Sequence, residues 1–432
     1  MSSGPLQFEV FHRSTTCHAR IGRVTTPHGS FDTPAFMPVG TRGSVKALFP
    51  QHVTETGAQI VLNNTYHLML RPGSELIQQL GGVHRFMNWA GPILTDSGGY
   101  QAYSLADTNK VDDEGVTFKS IIDGKSILLT PELAMKVQNE LGPDIMMALD
   151  DCPPPVDPNI DAMDAAQRAR VMGAVSRDAK AVTVTGPGGG ARARRFDHAT
   201  RLAIANERTV RWLERCKQSH ARPSDQALFG IVQGGTDLAR RTWCAEQVTN
   251  IDLPGYAIGG VAVGEPPEAI AKVVQHTAPL LPAHKPRYLM GVGYERDILV
   301  AVMAGVDMFD CVLPTRNGRN ANAFTRTGQI RLKNNKYALD RLPIEPGCDC
   351  HACDPARYGW KTPDQLPFSR AYLRHLFAAG EMLGPILVSL HNLRHYQRFM
   401  MDLRTAIKDE DWTGLVQRWP VLASPSEPEA EA

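Results

Sequence analysis

Several short apolar runs of this chain end on a side chain able to hold or move a proton, and each is followed by small or turn-forming residues. Asp310 closes the run that starts at Val306 and precedes Pro314, Arg316 and Arg319, which read as a cationic, Gly-containing turn. A strand-end carboxylate ahead of a cationic loop suits chemistry on an anionic polymer. Taken alone, the same residues describe an Asp capping a strand end beside solvated arginines. Asp96 and Ser97 stand before Gly98, Gly99 and Tyr100; Asp150 and Asp151 precede Cys152; Gln233 precedes Gly234 and Gly235. Glycines let a flat ligand approach the backbone, and Tyr100 offers a face for stacking. Two carboxylates, an amide and backbone N–H groups match the edge of a guanine-like heterocycle, whose ring N–H and amino group donate and whose oxo group accepts.

A second constellation is Cys348, Cys350 and Cys353, spaced C-x-C-x2-C; the other five cysteines are scattered. Three thiolates so close suit one soft divalent ion, zinc, in a closed structural site, rather than a disulfide framework. The fourth ligand is one of His351, His375, His391 or His395, with His351 strained by its place between the cysteines.

The elements that must position these groups repeat. Eight strand-like runs, AFMPVGT (35–41), AQIVLNNTYH (58–67), GPILTDSGGYQ (91–101), DIMMALDDC (144–152), ALFGIVQGG (227–235), YAIGGVAVGE (256–265), RYLMGVG (287–293) and VDMFDCVLPTR (306–316), are separated by segments with room for helices. LTPELAMKVQNEL (129–141), PPEAIAKVVQHTAPLL (266–281) and ERDILVAVMAGV (295–306) show helical spacing and start signals. The alternation predicts an α/β fold, a (β/α)8 TIM barrel with a zinc-binding subdomain, in which active sites sit at the carboxyl ends of the strands. The expected division is a β-rich flap over 1–34, the barrel over 35–316 with an insertion at about 153–200, a zinc-binding subdomain with closing helices over 317–404, and a helix with a disordered acidic tail over 405–432. The insertion is Gly/Arg-rich but lacks the phosphate-loop pattern G-x-x-x-x-G-K-[ST].

At 43% hydrophobic and 21% charged residues over 432 positions, wholesale disorder is excluded. The first residues hold no apolar signal core and no run reaches a membrane span of about 18 residues, which leads to a cytoplasmic expectation with no membrane partner. Residues 316–404 carry 14 Lys+Arg against 7 Asp+Glu, a local +7 that leaves −6 for the remainder of a chain whose total is +1. That asymmetry marks a localised anion-binding face.

From about Phe8 to Arg404 the chain resembles the bacterial-type tRNA-guanine transglycosylases (the queuine tRNA-ribosyltransferase family), on FMPVGT, NNTYHL, LTDSGGYQ, LDDC, GIVQGG, AIGGVAVGE, LMGVG, FDCVLPTRNGRNA and the cysteine cluster, in the family's order. The resemblance implies exchange of the wobble guanine in GUN-anticodon tRNAs (Asp, Asn, His, Tyr) for 7-aminomethyl-7-deazaguanine, as in queuosine biosynthesis. It implies that Asp310 is the nucleophile and Asp96 the general acid/base. Ser97, Tyr100, Asp150, Gln233 and Gly260 would bind the base, and Arg316 and Arg319 the RNA. Cys348, Cys350, Cys353 and His391 would hold one structural zinc per subunit of a homodimer. Departures are the insertions at 153–200 and 354–367 and Val261 in place of the usual leucine; Cys152 and Val263 are of the types that accompany the aminomethyl base. The competing readings are a non-catalytic tRNA-binding partner subunit on the same scaffold, a bacterial enzyme salvaging queuine directly, and a metal-dependent barrel hydrolase.

Overall fold

The computed structural model describes residues 4–104, 109–153, 198–262 and 264–423. Most of the expected insertion at 153–200, all of the acidic tail from 424, and Val263 lie outside the described residues.

The chain opens with a three-stranded antiparallel sheet, β1 (Gln7–Arg13), β2 (Arg20–Thr26) and β3 (Gly29–Thr33). Alternation puts Val24 and Phe31 on its buried face. The barrel strands follow: β4 (Ala35–Met37), β5 (Val39–Gly40), β6 (Val61–Asn63) and β7 (Ile93–Thr95). A small antiparallel sheet that the sequence reading did not anticipate comes next, with β8 (Asn109–Val111), β9 (Val116–Lys119) and β10 (Ser126–Leu129). The barrel resumes with β11 (Ile145–Met147), β12 (Ala227–Val232), β13 (Gly255–Ile258), β14 (Arg287–Leu289) and β15 (Met308–Asp310).

All barrel pairings are parallel, in the order β4-β15-β14-β13-β12-β11-β7-β6-β5. β4 and β5 are one stretch of chain interrupted at Pro38, which has no N–H to give to a ladder. Its first half pairs with β15 and its second half with β6, so the ladder closes on itself. Eight staves result, one from each of the eight apolar runs, and the chain is a (β/α)8 barrel. Both faces of these strands are buried, which is why the runs are continuously apolar rather than alternating. Leu62, Leu94, Met147, Phe229, Ile231 and Met308 fill one layer, while Val61, Ile93, Met146 and Leu228 pack in clusters outside it.

Helices form where their signals stand. Pro131–Leu141 begins with Thr130 accepting the Leu133 N–H at 3.1 Å, has Pro131 in its first turn and ends at Gly142 with φ +75°. Pro267–Thr277 and Glu295–Met303 start with acidic first turns. The 27-residue helix Leu383–Asp409 passes unbroken through 404 and 405 and lies against the barrel. There Gln397 donates to the Phe36 carbonyl (3.0 Å) and Arg404 to that of Pro34 (2.7 Å).

The amino-terminal sheet covers the end of the barrel where the strands begin. Arg20 on β2 makes a buried bidentate pair with Asp307, just ahead of β15, with Nε–Oδ1 at 2.8 Å and Nη2–Oδ2 at 2.5 Å. The His28 backbone donates to Asp144, just ahead of β11, at 3.1 Å. With that end plugged, the opposite mouth, where Asp310, Asp96 and Gln233 stand, is left for chemistry.

One local expectation is corrected. Arg316 and Arg319 do not sit in a turn; they belong to the helix Leu313–Arg319. Pro314 suits a first helical turn, and Gly318 is there for packing rather than turning. A Cβ at 318 would lie 2.7 Å from Ser389 Oγ and 2.8 Å from Ser389 Cα on the long helix.

Candidate active site and metal centre

Asp310 ends β15. The Tyr288 hydroxyl donates to its Oδ1 at 2.6 Å, and the Gly291 N–H donates to the same oxygen at 2.8 Å. No hydrogen bond from a described residue reaches Oδ2, so one oxygen is anchored and the other is free to react. Burial pushes this carboxyl up from its ordinary value; the Tyr288 hydrogen bond, then the Gly291 one, pull it back.

Asp96 follows β7 and is buried. Its Oδ1 accepts the Thr65 N–H (2.8 Å), its Oδ2 accepts the Asn64 side-chain amide, and the Thr65 hydroxyl donates to its carbonyl (2.5 Å). Asn64 is locked, because its amide oxygen also caps the helix Thr65–Leu70 by accepting the His67 N–H at 3.0 Å. Burial raises the Asp96 carboxyl to about 7, and the charges of Asp310 and Asp150 add to the rise. A carboxyl near 7 can both give and take a proton at neutral pH.

Asp150 and Gln233 form one buried pair. Gln233 Nε2 donates to Asp150 Oδ2 at 2.5 Å, and Ser97 Oγ donates to Oδ1 at 3.4 Å. Burial lifts Asp150 to about 6, against the Gln233 hydrogen bond that lowers it. Gln233 Oε1 is buried and has no hydrogen-bond partner among the described residues. Gly260, on the neighbouring strand end, has φ +63°, and a Cβ there would run into that same Oε1. Tyr100 lies in the helix Gly99–Ser104 with 43% of its surface exposed. Asp151 faces away from this set: burial raises its carboxyl, but Arg201 and Arg208 outweigh burial and hold it below its ordinary value. Cys152 is partly buried beside Asp150. Arg316 is exposed and Arg319 partly so, with Arg319 Nη1 donating to the Thr315 carbonyl at 2.9 Å.

The sequence places Asn64 among the polar strand ends but gives no sign of Tyr288, Thr65 or Arg241 as supports of this set. Inside β14, Tyr288 reads as one more buried aromatic.

The metal constellation assembles with His391. Its Nδ1 lies 3.6, 3.3 and 3.5 Å from the sulfurs of Cys348, Cys350 and Cys353. Zinc bonds of about 2.3 Å to sulfur and 2.0 Å to nitrogen give a tetrahedral S–N edge of about 3.5 Å, so the donor set fits one such ion. His391 Nε2 points to the Phe324 carbonyl at 2.7 Å, which turns Nδ1 toward the sulfurs. Of the other candidates, His351 is engaged with Glu55 (2.7 Å) and His395 with Glu295 (2.6 Å), and His375 is not in the group. Cys348, Cys350 and His391 are buried and Cys353 partly so, among Ala321, Leu332, Ile344 and Leu373; four protein donors fill a tetrahedral ion's positions, which sets aside a metal-dependent hydrolase built on it.

Fold and site together give a (β/α)8 barrel with paired carboxyls at the carboxyl ends of its strands. The family model described as queuine tRNA-ribosyltransferase matches residues 15–181 and 195–421. The chain is 46% identical over 403 residues to the queuine tRNA-ribosyltransferase of Symbiobacterium thermophilum (93% of this chain, 88% of the relative). It is 44% identical over 412 residues to that of Lysinibacillus sphaericus (95% and 94%) and 46% over 405 residues to that of Thermus thermophilus (94% and 91%). The chain belongs to the queuine tRNA-ribosyltransferase family, and it is a pentosyltransferase. Among the described residues no helix is long and apolar enough to cross a membrane.

Proposed function

We propose that this enzyme exchanges the wobble guanine of GUN-anticodon tRNAs, those for Asp, Asn, His and Tyr, for 7-aminomethyl-7-deazaguanine by double displacement. Asp310 Oδ2 attacks C1′ of the ribose as the bond from C1′ to guanine breaks, and Asp96 gives its proton to the departing base. The tRNA is then held as a glycosyl ester on Asp310. Asp96, now a carboxylate, takes the ring N–H proton of the incoming base. That nitrogen bonds C1′ and the ester breaks, restoring Asp310. A carboxylate suits both half-reactions because the transition state is oxocarbenium-like. Asp150, Gln233, Ser97 and Gly260 read the base edge, Tyr100 stacks on it, and Arg316 and Arg319 pair with phosphates beside the flipped-out nucleotide.

Zinc at Cys348, Cys350, Cys353 and His391 supplies a structural crosslink. The segment 317–404 acts as the zinc-binding, RNA-facing part of a cytoplasmic homodimer, beside the barrel of 35–316.

The observation that carries this reading is the division of labour between two carboxyls, Asp310 partly buried and Asp96 buried. Asp310 has one oxygen anchored and one free, and Asp96 is tuned near 7. A non-catalytic partner subunit would have no use for that pair. The test is incorporation of radiolabelled guanine into purified tRNA, with queuine and the aminomethyl base as competitors. The unmutated chain incorporates label and Asp310→Ala does not; incorporation by Asp310→Ala at the unmutated rate refutes the assignment. Preference for queuine over the aminomethyl base would make it a direct salvage enzyme.

A further inference from the structure

A buried cation stands behind the base-recognition loops. Arg241, in the helix Leu238–Thr249, is fully buried. Among the described residues all of its hydrogen-bond partners are peptide carbonyls. Nε donates to Gly235 (2.9 Å), Nη1 to Val232 (2.9 Å) and Gly259 (2.7 Å), and Nη2 to Gly260 (3.2 Å). Burial pulls the guanidinium down to about 10, which leaves it charged at neutral pH. Glu265 is near enough for its charge to favour the guanidinium, but no carboxylate among the described residues is hydrogen-bonded to it; a buried charge so placed is costly, and anchoring two loops alone does not require one.

The geometry says what the charge does. In a trans peptide the N–H points opposite the C=O. The carbonyls of Gly259 and Gly260 face Arg241, so the N–H groups of Gly260 and Val261 face away from it. Neither N–H has an acceptor among the described residues. Beside them stands Gln233 Oε1, buried and unpartnered, with its Nε2 held by Asp150. Two free donors and one free acceptor therefore line one wall, and a cation sits on the carbonyl side of both donor peptides. Hydrogen bonds to a carbonyl oxygen draw electron density through the amide and strengthen its N–H as a donor. The four anchored carbonyls also hold the loops at 232–235 and 259–260 in fixed register, so the donors are set before a ligand arrives.

We propose that Arg241 is a positioning residue that makes the Gly260 and Val261 N–H groups a charge-assisted donor pair for the oxo group of the exchanged base, selecting oxo-bearing purines over those without one. This rests on the base-exchange reading above.

The test compares guanine with 2-aminopurine, which keeps the purine frame and amino group but lacks the oxo group. KM for guanine and Ki for 2-aminopurine are measured in the exchange assay for the unmutated enzyme, Arg241→Lys and Arg241→Gln. In both variants the guanine KM rises about tenfold while the 2-aminopurine Ki moves less than twofold. A parallel change of both constants, or none in either, overturns the inference. Should the variants fail to fold, the unmutated protein decides. Its Gly260 and Val261 amide protons shift downfield on guanine binding and stay put with 2-aminopurine; equal shifts overturn the inference. No guanine incorporation by the unmutated chain sinks the base-exchange reading and this inference with it. Incorporation together with parallel constants sinks this inference alone.

Discussion

Tyr288→Phe removes one hydroxyl and leaves the ring that fills the barrel layer. The hydroxyl donates to Asp310 Oδ1 at 2.6 Å, leaving only the Gly291 N–H at 2.8 Å once it is gone. Burial already raises the Asp310 carboxyl, and the Tyr288 hydrogen bond is the first force opposing it. A hydrogen bond to a charged group contributes about 1.5–3 kcal/mol, and about 1.4 kcal/mol is a factor of ten. The variant nucleophile is thus about 10- to 100-fold less ionised at a given pH on the acid side of its titration. The assay is the single-turnover rate of guanine exchange from pH 5 to 9, with a melting curve to confirm folding. The acid limb moves toward higher pH, and the rate on that limb falls by the same factor. On the alkaline side the loss is only several-fold, because the ring still packs. An acid limb that stays in place in a folded variant refutes the idea that Tyr288 tunes the nucleophile.

Three further outcomes follow from the same geometry. Asp150 has its folded value raised to about 6, so its contribution to stability is fully present below its unfolded value near 3.8 and is lost as pH rises through about 6. Asp150→Asn, whose amide can still meet Gln233 and Ser97, melts like the unmutated chain at pH 4. At pH 8 it melts higher, by an amount corresponding to at most roughly 3 kcal/mol; equal melting at both pH values contradicts this. Gly318→Ala pushes a methyl into the Ser389 backbone at 2.8 Å, so it destabilises by about 1–3 kcal/mol and disturbs the helix after the nucleophile. Unchanged denaturant unfolding speaks against that close approach. His391→Ala removes one of four ligands buried against the cluster of Ala321, Leu332 and Val388. Zinc content by elemental analysis falls well below one per chain and protease cuts appear within 330–370, whereas full zinc occupancy contradicts the ligand set.

The barrel was legible because each stave is buried on both faces and so leaves a continuous apolar run ending in polar residues. Even the broken first stave, 35–41, stands out despite Pro38. The small sheet β8–β10 was not legible, since its strands are short and half-exposed. Arg316 and Arg319 were misplaced in a turn because Gly318 mimics a turn signal; the glycine answers to Ser389, some 70 residues later. The supports of the site were hidden because they act between neighbouring strands and loops rather than along one run. Tyr288 meets Asp310 from the neighbouring strand, and Arg241 reaches carbonyls on two strand ends at once. The fourth metal ligand was one of four histidines by spacing. The Phe324 carbonyl, which turns His391 toward the sulfurs, becomes visible only once β16 (Asn322–Thr325) is packed on the long helix.

In the proposed double displacement Asp310 becomes covalently bonded to tRNA. Mixing enzyme with tRNA, quenching in denaturant and running a denaturing gel tests it directly. The unmutated enzyme gives a slow-migrating protein–tRNA band that disappears on adding excess base and is absent from Asp310→Ala. A band of equal strength from Asp310→Ala, or none from an unmutated enzyme that is exchanging guanine, contradicts it.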